Sequence, residues 1–235
     1  MEFSNLVNNF AAESFVNLLI ATHNPSKLKR YQNELDDLGK NNHKNHNFGK
    51  LRLISLANLD YKLEIPAETG QNTLEIVKNK VKFYFDQTQI PCFSSDSGLY
   101  FPTLLDSFQP KQNVKGIAGA NDQMTANEIC DKMIAFYSNL ATQFGQKKAE
   151  ICELEGYFLD SFALFDGKNY FWTETKRPIT LTNQIFQKDV NFPICSLYKV
   201  KGKYYHELNT VEMKEFLQES SDSLKNIIQN WLQTL

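Results

Sequence analysis

The hydrophobic pattern changes along this chain, and that change limits the folds open to it. Up to Ser95, short apolar runs alternate with segments of helical spacing, which is typical of strands joined by helices. Beyond residue 157, two aromatic-rich runs are separated by Asp166-Gly167, a dipeptide typical of tight antiparallel hairpins. The pattern therefore predicts an α/β fold with a mixed β-sheet flanked by helices.

Local signals predict the elements of each half. The N-terminal half has predicted strands over 15–22, 51–56 and 90–95 and helices after Asn24 and over 73–87. Asn24 suits the N-cap of the first helix, and Pro25 suits its first position. The C-terminal half has a predicted helix over 124–144, a hairpin over 157–175, a strand over 192–200 and a turn at 201–203. A last helix is predicted from about Ser221, capped by Ser220 or Ser221, with an apolar stripe that forms core or a dimer surface.

Composition excludes several classes of protein. With 25 basic and 27 acidic side chains, the chain lacks the field of a general nucleic-acid binder. Its apolar runs are too short to cross a membrane, and its first residues lack a basic signal region. We therefore expect a cytoplasmic protein without nucleic-acid or membrane partners. Four scattered cysteines without paired spacing indicate neither a disulfide scaffold nor a zinc cluster.

The chain contains no linker that forces a domain boundary. Its 235 residues are enough for a sizeable core, so we predict a single domain over 1–235. Residues 1–15 form an N-terminal extension in this interpretation. Residues 39–50 form a polar surface loop, because Asn, Gly and Lys dominate that segment.

Three polar segments follow predicted strands, where α/β sheets usually bind their ligands. In the first, Thr22-His23-Asn24-Pro25-Ser26-Lys27, helix-start amides and Lys27 suit a phosphate, although a helix cap with a solvated lysine explains it equally well. In the second, Glu64 and Glu68 suit Mg²⁺, while Glu75 and Lys80 fit either a cleft or a helix surface. In the third, Asp96 stands among small residues, which suits either close approach to a phosphate or metal, or a turn.

In this order, the three segments resemble the inosine triphosphate pyrophosphatase family. The family pattern runs as ATxNxxK, ETGxTFxENAxxKA and DDSGL. The matching residues here are Ala21, Thr22, Asn24 and Lys27, then Glu68, Thr69, Gly70, Glu75 and Lys80, then Asp96, Ser97, Gly98 and Leu99. The resemblance covers about residues 16–145. The three segments in this order are a far more specific sign of the family than any one of them alone.

The resemblance implies an elongated mixed β-sheet flanked by helices, in two lobes with a central cleft between them, usually in a homodimer. It also implies Mg²⁺-dependent hydrolysis of non-standard purine nucleoside triphosphates, of the ITP, dITP or XTP type, to the monophosphate and pyrophosphate. By the same resemblance, the substrate is bound by Thr22, Asn24, Lys27, Lys80 and Ser97. Glu68 and Asp96 hold the metal, Asp96 activates the attacking water, and Glu75 completes the charged cleft.

The C-terminal third departs from the family pattern. Asn191–Cys195 replaces a GFGYDP-like segment, leaving Phe192 to stack on the base, and "QESSDSLKN" replaces a Ser-His-Arg triplet. Ser95 replaces the first aspartate of DDSGL. Four lysines are candidates to replace arginines of the pattern: Lys115, Lys199, Lys201 and Lys203. Two interpretations follow: a triphosphate pyrophosphatase of altered base specificity, or a nucleotide-binding or protein-interaction member of the same fold that has lost turnover.

Overall fold

The computed structural model describes residues 15–41, 51–59, 63–67 and 69–235. Its helices are α1 (Pro25–Asn41), α2 (Thr73–Thr88), α3 (Ala126–Phe144) and α4 (Thr210–Leu232). Its strands are β1 (Val16–Ile20), β2 (Leu51–Ser55), β3 (Cys92–Tyr100), β4 (Gln146–Lys148), β5 (Ile151–Phe165), β6 (Tyr170–Thr182), β7 (Tyr198–Val200) and β8 (Lys203–Tyr204).

Eight strands form one mixed sheet in the order β2-β1-β3-β5-β6-β7-β8, with β4 pairing with β5. The pairs β1–β2 and β1–β3 are parallel, and all later pairs are antiparallel. Helical connections produce the parallel part. The hairpin at Asp166-Gly167 starts the antiparallel part, where Gly167 has a φ of 96° and the Asp166 carboxylate accepts the amides of Lys168 and Asn169. The predicted α/β class with a mixed sheet is confirmed.

The hydrophobic core is divided between the two ends of the long strands. At one end, α1 and α4 cover one face of the sheet and α2 covers the other. At the other end, α3 packs with Leu99, Phe158 and β7. Between them lies a belt of polar positions on β3 and β5, including Ser95, Asp96 and Asp160. The strands thus cross from one apolar region to the other through a polar zone.

Several element boundaries differ from the predicted ones. β3 continues to Tyr100, so Asp96 lies inside a strand and not at its end. Residues 193–196 form a 3₁₀ turn before the short β7, where one strand was predicted. The predicted polar loop begins inside α1, because residues 39–41 are helical; its remainder and residues 1–14 lie outside the described part.

The start of the last helix was predicted wrongly. α4 begins at Thr210 with Asn209 as its N-cap, and Ser220, a predicted cap, is buried in mid-helix. The stripe from Leu224 to Leu232 is core, while Leu235 is exposed. None of the described helices is long and apolar enough to span a bilayer.

Candidate active site

A pocket of about 340 Å³ opens at the carboxyl end of β1. The chain leaves β1 through α1 on one face of the sheet and reaches β3 through α2 on the other. Connections that diverge in this way leave a crevice, which open α/β sheets use for ligands. Five predicted site residues line it: Thr22, Asn24, Lys27, Lys80 and Asp96.

The loop after β1 is organised by its own side chains. The Thr22 hydroxyl accepts the Asn24 amide at 3.1 Å. The Asn24 carboxamide oxygen accepts the amides of Ser26 and Lys27 at 2.9 and 3.2 Å, which is an N-cap arrangement. Since these two amides are already bonded within the loop, positive charge at this end of the pocket comes mainly from the lysine side chains.

Lys27 is a partly buried cation. Its ammonium lies 3.4 Å from the carbonyl oxygen of Ser95. Burial lowers the pKa of Lys27 below the usual lysine value; Asp96 opposes this shift, while Lys80 and Arg30 reinforce it. A bound anion would offset both the desolvation and the repulsion between the lysines, so the pocket is electrostatically suited to an anionic ligand.

Two pocket residues, His23 and Tyr84, were missed by the sequence analysis. The Tyr84 hydroxyl lies 3.0 Å from Nε2 of His23, which closes the α2 side of the pocket. Tyr84 stands one helical turn after Lys80, so the spacing of α2 already placed both on one helix face. His23 lies within the quoted loop segment, but nothing in its spacing distinguished it from a turn residue.

Asp96 lies on β3 where the polar belt meets the pocket. The neighbouring Ser94 hydroxyl donates to the carbonyl of Ala21 at 2.8 Å and ties β3 to the loop after β1. Ser95 turns its side chain to α1, where its hydroxyl is hydrogen-bonded to the hydroxyl of Tyr31. Ser95 therefore fills a structural position under α1.

The structure does not bring Ser97, Glu75 or Phe192 into this pocket. The Ser97 hydroxyl donates to Asp160 at 2.6 Å. Glu75 is exposed and accepts the amide of Gln71 at 2.8 Å, so it helps to cap α2, as the helix-surface alternative predicted. Glu68 lies outside the described residues. Two residues further along the chain, Gly70 packs so closely on α2 that a Cβ would lie 2.9 Å from the amide nitrogen of Ile76.

Phe192 belongs to an aromatic group at the other end of the sheet. Its ring lies 6.2 Å from Phe158 and 6.1 Å from Tyr205, and it remains 42% exposed. The lysines considered as arginine replacements form ion pairs with acidic residues: Lys115 with Asp122, Lys199 with Glu153, Lys201 with Glu215 and Lys203 with Glu212. None of these four lysines lines the pocket at Asp96.

A buried ion pair between Arg177 and Asp160 was also missed. Arg177 on β6 donates through Nε and Nη2 to the two carboxylate oxygens of Asp160 at 2.5 and 3.0 Å. Burial opposes ionisation of Asp160, but hydrogen bonds from Arg177 and Ser97 outweigh it and lower the pKa of this carboxyl. No sequence signal pairs two residues on neighbouring strands before the register is known.

Comparisons with known proteins agree with this fold. A model of the Ham1 family matches residues 18–156. A Mycobacterium abscessus structure described as nucleoside-triphosphatase, dITP/XTP pyrophosphatase superposes with a TM-score of 0.62 at 17% identity, covering 90% of this chain and 98% of the other. The Staphylococcus aureus Ham1 protein gives 0.64 at 14% identity, covering 93% and 98%, and a Coxiella burnetii HAM1 protein gives 0.67 at 17%, covering 90% and 100%. No curated protein sequence matches the chain significantly.

Proposed function

Because this chain belongs to the Ham1 family, we propose that it hydrolyses nucleoside triphosphates to the monophosphate and pyrophosphate in the pocket beside β1. The observation that carries the proposal is the convergence of Lys27, Lys80 and Asp96 on one pocket from three separate elements. A triphosphate needs cations to offset its charge, and hydrolysis needs a group that accepts a proton from water. The pocket supplies both.

Seven of the residues that line the pocket have a role in this proposal. Lys27 and Lys80 bind the phosphates as point charges, and Thr22 and Asn24 hold the loop that presents Lys27. Asp96 accepts the proton of the attacking water, which adds to phosphorus as the pyrophosphate leaves. Tyr84 and His23 limit the space on the α2 side.

The donor chemistry of the pocket fits Mg²⁺. This ion prefers oxygen ligands and is typically held by one or two carboxylates together with substrate phosphates. Asp96 provides a carboxylate here, and Glu68 is the second proposed ligand. When bound, the ion would neutralise charge on the phosphates. Loss of the first DDSGL aspartate is compatible with this arrangement, because the Ser95 side chain faces Tyr31.

The substrates proposed are non-standard purine triphosphates of the ITP, dITP and XTP type. The family resemblance and the Mycobacterium abscessus neighbour described as a dITP/XTP pyrophosphatase support this choice. The segment that replaces Ser-His-Arg, residues 218–226, contains neither histidine nor arginine, so base selection here would depend on other residues. Phe192 is the proposed stacking partner for the base; its exposed ring lies outside the pocket at Asp96, so the nucleotide would extend beyond that pocket.

Nucleotide binding and turnover, measured side by side, test the proposal. Asp96→Asn should lower turnover of the best triphosphate by about 10²–10⁴-fold, because it removes the proposed base, while nucleotide binding persists. Asp222→Asn, the same change at an exposed position on α4, should leave turnover unchanged. If the unaltered protein binds nucleotide but does not hydrolyse it, the alternative holds instead: a nucleotide-binding member of the same fold that has lost turnover.

A further inference from the structure

A second cluster of reactive side chains lies apart from the pocket at Asp96. Asp189, Cys195 and His206 each place one ligand atom within 4.8 Å of the others. Among the residues that the structure describes, no other group of three His, Cys, Asp or Glu side chains is this compact. The three residues come from the loop after β6, the 3₁₀ turn at 193–196 and the 3₁₀ turn at 205–207. No CxxC or HxxxH spacing marks them, so only the fold brings them together.

The spacing of these atoms is close to that of a metal site. The Cys195 sulfur lies 3.2 Å from Nε2 of His206, and that nitrogen lies 4.0 Å from a carboxylate oxygen of Asp189. Tetrahedral zinc with a thiolate and an imidazole ligand places sulfur and nitrogen about 3.5 Å apart, and nitrogen and oxygen about 3.4 Å apart. The Cys195 sulfur and the Asp189 carboxylate also lie within 4.8 Å of each other, so each separation is within about 1.5 Å of the value that tetrahedral zinc requires.

The surroundings favour a closed site that a metal can still reach. Cys195 is fully buried, whereas the side chains of Asp189 and His206 are 28% and 15% exposed and provide a path from solvent. The other Asp189 oxygen already accepts the amides of Asn191 and Phe192 at 2.8 and 3.0 Å. The carboxylate is thus fixed by the main chain, as ligands in metal sites usually are.

We propose that Asp189, Cys195 and His206 form a binding site for one zinc ion. A thiolate, an imidazole and a carboxylate are ligands that zinc accepts together, whereas Mg²⁺ and Ca²⁺ prefer oxygen ligands alone. On binding, the Cys195 thiol loses its proton to solvent, and neutral His206 coordinates through Nε2. This site would also anchor the turn that carries Phe192, because Asp189 would bind the zinc ion and also accepts the main-chain amide of Phe192.

Metal binding to the whole protein tests this site without reference to catalysis. After removal of metal with a chelator, we expect the protein to bind one equivalent of Zn²⁺ in competition with a chromophoric chelator. Mg²⁺ should not compete. Cobalt in place of zinc should give a thiolate charge-transfer band in the near ultraviolet. Asp96→Asn should leave the zinc affinity unchanged, since Asp96 lies in the other pocket.

Two variants probe the ligands, and a third is the matched control. Cys195→Ser and Asp189→Asn should each lower zinc affinity by at least about 100-fold, because loss of outer-sphere partners alone costs 10–100-fold. Asp189→Asn is the safer variant for folding, since a carboxamide oxygen can still accept the two amides. Cys152→Ser, at a half-buried cysteine outside the cluster, should bind zinc like the unaltered protein. Failure of the unaltered protein to bind zinc, or equal affinity in Asp189→Asn, would overturn the site.

Discussion

At the level of single residues, the charge on Lys27 depends on how well its ammonium group is solvated. Burial lowers the pKa of Lys27, so its ammonium group loses its proton at a lower pH than the ammonium group of an exposed lysine does. A neutral amine cannot offset a phosphate charge. The affinity of the free protein for nucleotide should therefore fall as pH rises through this lowered pKa.

The first prediction follows from that dependence. Lys27→Arg should move the alkaline fall of kcat/KM to higher pH, because a guanidinium stays charged over the whole accessible range. A pH profile of kcat/KM reports groups of the free enzyme and checks this directly. Lys225→Arg, the same change on α4, is the control. An alkaline limb that stays in place in Lys27→Arg would exclude Lys27 as its origin.

The second prediction concerns the pair of Asp160 and Arg177. Their side chains are only 3% and 12% exposed, so Arg177→Met should leave a buried carboxylate uncompensated and lower the free energy of unfolding by about 3 kcal/mol or more. Adding Asp160→Leu should recover much of that loss. Urea denaturation of the unaltered protein and the two variants measures both effects, and a double variant no more stable than Arg177→Met would contradict the explanation.

The same pair has a defined pH dependence. Because the folded-state pKa of Asp160 lies below its unfolded value, the contribution of the ionised pair is complete at neutral pH. It is lost as the pH falls through the lowered pKa. The unaltered protein should therefore lose stability in acid relative to the double variant, which has no carboxylate at position 160, and an unchanged difference between the two would argue against an ionised pair.

At the level of elements, periodic segments were predictable and interrupted ones were not. The apolar spacing of α1, α2 and α3 and the Asp166-Gly167 turn located those elements within a few residues. α4 was placed too late, because the serines at 220 and 221 looked like a cap, although the helix buries Ser220. The signal that was overlooked is Asn209 with Glu212 three residues later, a capping box.

The third prediction tests that cap. Asn209 accepts the amides of Val211 and Glu212, so Asn209→Ala should lower the free energy of unfolding by about 1 kcal/mol. Asn226→Ala, the same change at an exposed mid-helix position, should be neutral or stabilise by about 0.5 kcal/mol. Equal effects of the two changes in urea denaturation would contradict the assignment.

At the level of the whole molecule, the three polar segments of the sequence predicted which residues would meet in the pocket beside β1. Thr22, Asn24, Lys27, Lys80 and Asp96 meet because β1, α2 and β3 converge at one crevice. Partners that depend on strand register or on long loops were not predictable, which includes Asp160 with Arg177 and Asp189 with His206. Ser97 does not line the pocket because adjacent residues on β3 face opposite sides of the sheet, so the side chains of Asp96 and Ser97 point in opposite directions.

The homodimer remains a prediction at this scale. The α4 stripe that was one candidate interface is core, so a dimer would use another surface. Light scattering should give twice the chain mass of 27.1 kDa, and a mass equal to one chain at all protein concentrations would exclude the dimer.

The products released from ITP in the presence of Mg²⁺ test the central proposal most directly. We expect inosine monophosphate and pyrophosphate in equal amounts, with release lost in Asp96→Asn and retained in Asp222→Asn. Release of orthophosphate and a diphosphate, or release that Asp96→Asn does not reduce, would contradict the proposed chemistry of the pocket beside β1.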